Sequence, residues 1–283
     1  MSIDPRTVPA VALNDGTSIP QIGFGTWQVA PSDAEAATGE AFAVGYRHVD
    51  TAAVYANEAE VGLAIAGSGL QREDLYVTTK LWNPDHGFDE AMRAFDRSMG
   101  KLGIEQLDLY LIHWQCVQHG KYLDTWRAMI DLRDSGRVRS IGVSNFKEPA
   151  LREIIDATGV VPVLNQVELH PWLPQTELRA IHAELGIATE SWSPLASGQL
   201  INDPVLAGVA AKHGKSTAQV MIRWHLQLGL IVLPKSVTPS RIADNIDVFD
   251  FALDVDDMAA IASLESGRRT GPDPDEYLEL GWG

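Results

Sequence analysis

Cysteine is almost absent from this sequence: its 283 residues contain one, Cys116. A lone thiol can form neither an internal disulfide nor a thiolate metal cluster, so we expect a reducing compartment. The sequence also lacks the paired histidines with an intervening glutamate of zinc hydrolases and the Gly-x-Ser-x-Gly turn of serine hydrolases. We therefore expect no metal site and neither of those hydrolytic mechanisms.

Long apolar runs and basic residues are also scarce. No run approaches the ~18 residues of a membrane span, and residues 1–6 lack the apolar stretch of a secretory signal. We therefore expect a cytoplasmic protein with no membrane partner. The 22 Lys and Arg against 38 Asp and Glu give a formal net charge of −16, which argues against nucleic acid as a partner. No exposed heptad or apolar strip predicts an obligate oligomer, so a monomer is expected.

Complete glycine motifs for nucleotide binding are missing as well. The Gly-Phe-Gly of residues 23–25 has Gln28 where a dinucleotide fingerprint has its third glycine. Residues 208–216 look like a phosphate loop, but their glycines are six apart instead of five and follow helix-like sequence. We interpret Gly214 as a helix end and expect neither a Rossmann site nor a P-loop.

Strand-like and helix-like segments alternate through the chain. Asn-Asp-Gly at residues 14–16 predicts a short N-terminal β-hairpin. Apolar segments then predict eight strands, at residues 22–26, 48–50, 75–80, 107–113, 141–144, 161–167, 187–191 and 230–233. Amphipathic segments predict helices at residues 32–44, 58–66, 89–102, 125–134, 149–157, 175–185 and 216–228. The pattern predicts an α/β protein with one (β/α)8 TIM barrel domain, residues 1–283, and a doubly wound open sheet is the alternative.

Two further positions carry structural expectations. Pro162 cannot donate to a β-ladder, so we place it at the very start of the sixth strand. Residues 267–274 are rich in turn formers, so they are expected to be neither helix nor strand. We expect this C-terminal tail to form a loop over the barrel mouth, with an exposed tail as the alternative.

Polar residues end three successive predicted strands. Asp50, Lys80 and His113 are 30 and 33 residues apart, about one strand–helix unit, so we expect them at one edge of the barrel. Tyr55 closely follows Asp50 and adds a phenol. Taken alone, each has a structural explanation, such as Asp50 capping the next helix. Together they suit protonation of a carbonyl oxygen.

In that interpretation each of the four groups has a role. The Lys80 ammonium is expected to lower the pKa of the Tyr55 phenol, which acts as the acid. Asp50 is expected to pair with Lys80 and keep it charged. His113 is expected to hydrogen-bond the substrate oxygen and orient it.

Three ordered segments resemble the aldo-keto reductase family. Residues 45–58 match its first signature, residues 141–146 match the core of the second, and residues 233–241 with Asn245 match the third. The resemblance extends over nearly the whole chain. It implies NADPH-dependent reduction of aldehydes and ketones to alcohols by hydride transfer, with Tyr55 as the general acid.

Finer agreement points to one branch of that family. Residues 165–171 and 245–251 are similar to the bacterial 2,5-diketo-D-gluconate reductase branch. The resemblance therefore implies small carbonyl compounds as substrates, with keto-sugars such as 2,5-diketo-D-gluconate among them.

The resemblance also implies which residues hold the cofactor. At the nicotinamide they are Ser144, Asn145, Gln166 and Trp192; along the pyrophosphate Ser193, Pro194, Leu195 and Leu200; and at the adenosine end Lys235, Ser236, Val237, Thr238, Arg241 and Asn245. Lys235 and Arg241 are also an anion clamp in an acidic protein, which favours NADPH over NADH.

Aromatic residues predict the substrate pocket. Trp27, Trp82 and Trp114 follow the first, third and fourth predicted strands, at loop positions where core burial is not expected. An apolar wall discriminates weakly among small carbonyl compounds, so broad specificity is expected. Two departures from the family bear on substrate preference: Trp192 stands where many relatives have tyrosine, and Gln115 where proline often follows His-Trp.

Two other function classes remain open at this point. A glycoside hydrolase on the same barrel would use carboxylates near strand ends, such as Glu168 and Glu190. That interpretation leaves Tyr55, Lys80 and Arg241 unexplained. The other alternative is a catalytically idle NADPH-binding regulatory protein, against which the intact set of four polar residues counts.

Overall fold

The computed structural model describes residues 3–281. Met1, Ser2, Trp282 and Gly283 belong to the predicted domain range and lie outside the described residues. None of the helices within residues 3–281 has both the length and the apolar character that crossing a bilayer requires.

A short hairpin of β1 (Ala10–Ala12) and β2 (Ser18–Pro20) forms where the sequence predicts one. Its turn is fixed by the Asp15 carboxylate, which accepts hydrogen bonds from the Thr17 backbone N–H at 2.9 Å and hydroxyl at 2.7 Å. Leu13 and Ile19 are buried in one cluster with Tyr76 and Ile231, which begin two barrel strands. The hairpin therefore covers the amino end of the barrel.

Eight parallel strands form one sheet in the order in which they occur along the chain. They are β3 (Phe24–Gly25), β4 (His48–Asp50), β5 (Tyr76–Leu81), β6 (Leu107–Ile112), β7 (Val138–Ser144), β8 (Leu164–Glu168), β9 (Ala188–Trp192) and β10 (Ile231–Val232). A parallel bridge between Ile22, just before β3, and Val232 of β10 closes the sheet. The predicted (β/α)8 barrel is confirmed, and the open sheet was the wrong alternative.

Helices surround the sheet. They are α1 (Pro31–Val44), α2 (Glu58–Gly67), α3 (Phe88–Leu102), α4 (Tyr122–Asp134), α5 (Glu148–Thr158), α6 (Thr176–Leu185), α7 (Pro204–His213), α8 (Thr217–Gln227), α9 (Pro239–Ile246) and α10 (Val255–Ala262). Gly214 ends α7 in the left-handed conformation, as predicted. The helix α7 was predicted only through its end at Gly214, and the helices α9 and α10 were not predicted. Local signals existed for two of them, an Asp203 cap before Pro204 and a capping box of Asp254 with Asp257.

The position of Pro162 differs slightly from the prediction. Proline has no N–H to donate, and pairing of β8 with β9 begins only at Leu164. Pro162 therefore precedes the strand instead of opening it.

The C-terminal tail crosses the barrel mouth. Residues 267–274 contain neither helix nor strand, as predicted. The Trp82 indole Nε1–H donates to the Gly281 carbonyl at 2.7 Å, and Asn83 Nδ2 donates to the Glu279 carbonyl at 3.0 Å. The predicted loop over the mouth is confirmed, and the tail is not a free extension.

Candidate active site

The barrel brings the four predicted polar residues together at the carboxyl ends of β4, β5 and β6. Asp50 is the last residue of β4, Lys80 is the next to last of β5, and His113 directly follows β6. Tyr55 lies in a 3₁₀ turn, Ala53–Tyr55, that follows β4. Neighbouring parallel strands end at the same edge, so these side chains meet there.

Lys80 is the centre of this group. Its Nζ donates to Asp50 Oδ1 at 2.5 Å, to the Thr51 carbonyl at 2.9 Å and to the Tyr55 hydroxyl at 3.4 Å. The side chain is 0% exposed. All three ammonium hydrogens therefore have acceptors, which is the condition for burying this charge.

The Asp50–Lys80 pair is ionised. Burial is the largest influence on the pKa of Lys80 and lowers it, but Asp50, Tyr55 and Glu190 together raise it by more, so it lies above its ordinary value. Burial raises the pKa of Asp50 above its ordinary value. The Lys80 ammonium and the Gln166 amide lower it, but by less than burial raises it. Gln166 Nε2 donates to Asp50 Oδ2 at 2.9 Å. We assign carboxylate and ammonium because either charge buried without the other is much more costly.

The acidity of Tyr55 differs from the sequence-based prediction. Burial raises its pKa to about 12, although the Lys80 ammonium lowers it as expected. Removal of a phenolate from water outweighs one ammonium that is already paired with Asp50. The expectation of a lowered pKa was therefore wrong. At neutral pH the phenol carries its proton, so it can act as a donor.

His113 is neutral in this environment. Burial has the larger effect and the Lys80 ammonium the smaller one; together they hold the pKa of His113 well below its ordinary value. Its ring lies 5.6 Å from that of Tyr55 and 5.3 Å from that of Trp82 between centroids. His113 Nδ1 has no hydrogen-bond partner within residues 3–281. A neutral imidazole here can hydrogen-bond a ligand oxygen without competing with Tyr55 as the acid.

A buried asparagine holds the loop that carries Tyr55. Asn57 Nδ2 donates to the carbonyls of Thr26 and Val29, both at 3.0 Å, and Asn57 Oδ1 accepts from the Thr51 hydroxyl at 2.8 Å. These bonds join the loop after β3 to the loop after β4. The position of the phenol therefore depends on Asn57.

Asn57→Ala is expected to lower the free energy of unfolding by about 2–4 kcal/mol, because two buried carbonyls and a hydroxyl lose their partners. Denaturant unfolding measures the loss. The matched control is Asn14→Ala, which removes two hydrogen bonds, to Pro162 and Gly186, from an exposed side chain. A loss for Asn57→Ala no larger than that of the control would contradict this role.

A cavity of 1080 Å³ opens above the four polar residues, and Asp50, Tyr55 and His113 line it. The three predicted tryptophans, Trp27, Trp82 and Trp114, line it as well. Trp27 is 47% exposed, whereas Trp82 and Trp114 are 3% and 7% exposed. The expectation that loop tryptophans escape burial was wrong for these two, because they pack together beneath the tail.

Neutral amides line one side of the cavity. The Trp192 indole Nε1–H donates to Asn145 Oδ1 at 2.8 Å, and Asn145 Nδ2 donates to the His113 carbonyl and the Ser144 hydroxyl, both at 3.0 Å. Asn145, Gln166 and Trp192 face the cavity. Ser144 is 0% exposed and donates to the Gln166 carbonyl at 2.8 Å, so it supports this side from beneath.

Two cationic side chains, Lys235 and Arg241, also line the cavity. The other predicted cofactor residues that line it are Ser193, Pro194, Leu195, Lys235, Ser236, Arg241 and Asn245. Among residues 3–281 neither Lys235 nor Arg241 forms an ion pair. Leu200 lies instead in the apolar core, and Val237 and Thr238 lie outside the cavity lining. Two cations without ion pairs in so acidic a protein favour an anionic ligand beside Lys235 and Arg241.

Sequence reasoning missed the tail residues that complete the cavity. Tyr277 and Glu279 line it, and the Tyr277 ring lies 4.2 Å from that of Trp114 between centroids. Gln115, at the departure from the family pattern, helps to fix the tail, since its Nε2 donates to Asp275 Oδ1 at 2.8 Å. No local pattern predicts this register; the aromatic Tyr277 was the one available signal.

The two carboxylates of the glycoside hydrolase alternative do not line the cavity. Glu168 Oε1 accepts hydrogen bonds from the Thr270 backbone N–H at 2.5 Å and from the Gly271 N–H at 3.1 Å, which anchors the tail. Glu190 is 0% exposed within the barrel. This geometry does not support that alternative.

Fold and site together define the class: a (β/α)8 barrel whose mouth combines a protonated phenol, a buried ion pair and a neutral imidazole. The model of the Aldo/keto reductase family matches residues 21–266. An aldo-keto reductase of Mycolicibacterium smegmatis is 59% identical over 266 residues, covering 94% of this chain and 97% of the relative. The chain therefore belongs to the aldo/keto reductase family, as its sequence segments predicted.

Two further members of this family are similar to this chain over nearly its whole length. The methylglyoxal reductase DkgA of Escherichia coli is 48% identical over 269 residues, covering 94% of this chain and 97% of the relative. A crystal structure of an aspartate-to-alanine mutant of Gox0644 in complex with NADPH has a TM-score of 0.92 and 47% identity, covering 96% of this chain and 99% of that one.

Proposed function

We propose that this protein reduces aldehydes and ketones to alcohols with NADPH. The observation that carries the proposal is the buried Asp50–Lys80 pair beneath the Tyr55 phenol, at a cavity that is also lined by Lys235 and Arg241, which form no ion pair within residues 3–281. A phenol in this setting suits proton donation to a carbonyl, and the cations suit a phosphate.

The residues present fit the cofactor. Asn145 and Gln166 offer neutral amide oxygens that can accept from the N–H groups of a carboxamide, and Trp192 offers a flat ring beside them. Lys235 and Arg241 provide the charge for a phosphate, and Arg binds phosphate bidentately. Bound NADPH supplies the hydride. The Gox0644 relative, of nearly the same fold, was crystallised with NADPH.

The side chains of this protein donate the proton and stabilise the charge that its transfer leaves behind. Tyr55 donates its proton to the carbonyl oxygen as negative charge builds there. Lys80, at 3.4 Å from the phenol oxygen, stabilises the phenolate that remains. Asp50 keeps Lys80 charged, and neutral His113 holds the substrate oxygen in line with the phenol. The same groups run in reverse for alcohol oxidation.

The aromatic wall indicates the substrate class. Trp27, Trp82 and Trp114 with Tyr277 surround the approach to Tyr55 and contribute shape more than polar recognition. Small aldehydes, α-oxoaldehydes, diketones and keto-sugars fit this description. We propose broad specificity within that class.

The test is a panel of methylglyoxal, aromatic aldehydes, diketones and keto-sugars, followed by loss of nicotinamide absorbance with NADPH and NADH in parallel. Arg241→Gln is expected to raise the KM for NADPH about 10-fold, because a charged hydrogen bond contributes about 1.5–3 kcal/mol, and to leave the KM for NADH nearly unchanged. Arg93→Gln, on the exposed face of α3, is the control for total charge.

The outcomes separate the alternatives. Turnover with NADPH and a cofactor-specific defect in Arg241→Gln support the reductase. Tight NADPH binding without turnover on any substrate would instead favour the idle regulatory protein. An equal effect of Arg241→Gln and Arg93→Gln would contradict the assignment of Arg241 to the phosphate of NADPH.

A further inference from the structure

The carboxyl group of Glu190 lies directly beneath the site and has no part in the mechanism above. In the middle of β9, Glu190 pairs in register with Gln166 of β8 and Ile231 of β10. Its Oε2 accepts a hydrogen bond from Gln166 Nε2 at 2.7 Å. Within residues 3–281 its Oε1 has no hydrogen-bond partner, which is a costly arrangement for a residue with 0% exposure.

The amide of Gln166 is held from below by two carboxyl groups. Its Nε2 donates to Glu190 Oε2 at 2.7 Å and to Asp50 Oδ2 at 2.9 Å. An amide nitrogen has two hydrogens, so both are used inside the barrel. Gln166 also lines the cavity. The acceptor Oε1 is therefore the group that this amide has left for a ligand.

We propose that Glu190 is a positioning residue that acts through Gln166: with Asp50 it fixes the amide so that Oε1 faces the cavity and accepts from the carboxamide of the nicotinamide. The identity of that ligand rests on the proposed function. The buried carboxyl and its hold on Gln166 do not. Without Glu190, one N–H loses its acceptor, and the amide can rotate to present either end to the cavity.

The charge of Glu190 depends on its surroundings. The titratable and charged groups that face it are His48, Asp50, Tyr55, Tyr76 and Lys80, whereas β10 contributes only Ile231 and Val232. Burial, and to a smaller extent the Asp50 carboxylate, raise the pKa of Glu190 to about 8. The Gln166 amide and the Lys80 ammonium lower it in part. Burial lowers the pKa of His48 to about 3, so that imidazole is neutral and gives Glu190 no cationic partner.

Two variants of similar volume separate positioning from packing. Glu190→Gln keeps an acceptor for the Gln166 amide, whereas Glu190→Met fills the space with a thioether, a weak acceptor. We expect the Kd for NADPH, from quenching of tryptophan fluorescence, to rise about 5–10-fold in Glu190→Met, as loss of one oriented hydrogen bond implies. In Glu190→Gln it is expected to stay within about twofold, and in Glu190→Met the KM for NADPH is expected to change more than kcat.

Circular dichroism and thermal unfolding establish that both variants are folded. Wild-type affinity in folded Glu190→Met would overturn the proposal, as would equal losses in both variants. Failure of the wild type itself to bind NADPH would overturn the proposed function and this use of Gln166 with it.

A second measurement requires no ligand. The pKa of about 8 in the folded protein exceeds the ordinary value of 4.5, so the folded state holds an extra proton between these values. The free energy of unfolding therefore falls as pH rises from about 5 to 8 and levels off above that, and Glu190→Gln lacks this contribution. The stability of the wild type minus that of Glu190→Gln is expected to decline over the same window. A difference that does not change with pH would overturn the placement of Glu190 as a buried carboxyl beneath Gln166.

Discussion

Tyr55→Phe is expected to lower carbonyl turnover about 10³-fold, within the range that a general acid contributes, and to leave the affinity for NADPH unchanged. Phenylalanine keeps the ring that packs against His113 and beneath which the Lys80 ammonium lies at 4.9 Å from the centroid. It removes the hydroxyl, which is the proton donor and also accepts from Lys80 Nζ at 3.4 Å. Steady-state kinetics and fluorescence titration with NADPH measure the two quantities separately.

The matched control for this variant is Tyr46→Phe. Tyr46 is also a buried phenol, but its hydroxyl donates to the Ile242 carbonyl at 3.3 Å and lies outside the cavity lining. The turnover of Tyr46→Phe is expected to stay within about twofold of the wild type, because the substitution changes no catalytic group. Near-normal turnover in Tyr55→Phe would mean that another group donates the proton.

The strand-end positions of the site residues were predictable because they depend on periodicity alone. The intervals between Asp50, Lys80 and His113 match the length of one strand–helix unit, and parallel strands end at a common edge. The barrel follows from the same repetition. The spacing of these residues in the sequence is therefore sufficient to predict that the three strand ends lie together.

The properties that depend on tertiary surroundings were not predictable in this way. The pKa of Tyr55 is set by burial against one nearby ammonium, and the sequence does not reveal which is larger. Trp82 and Trp114 are buried because the tail covers them, which requires contacts across more than 150 residues of chain. The sequence offers Glu190 only as a carboxylate near a strand end, and its bond to Gln166 depends on the pairing of β8 with β9.

Lys80→Met is expected to abolish measurable turnover and to lower the free energy of unfolding by about 3–5 kcal/mol, because it leaves the Asp50 carboxylate buried without its counter-ion. Turnover fails because the Lys80 ammonium no longer offsets the effect of burial on Tyr55. The pKa of the phenol then rises further, and the phenolate that forms on proton transfer is not stabilised. Urea unfolding and steady-state kinetics measure both effects.

The pH dependence of that variant has a definite sign. Without Lys80, burial raises the pKa of Asp50 further above its unfolded value, so the folded state holds a proton that the unfolded state has lost. The stability deficit of Lys80→Met is therefore expected to be smaller near pH 4 than near pH 7. The double variant with Asp50→Asn removes the stranded charge, and is expected to recover most of the stability and none of the turnover. If the double variant were as unstable as Lys80→Met, the deficit would reflect lost packing, and the ion pair would not be the element that keeps a catalytic ammonium inside the barrel.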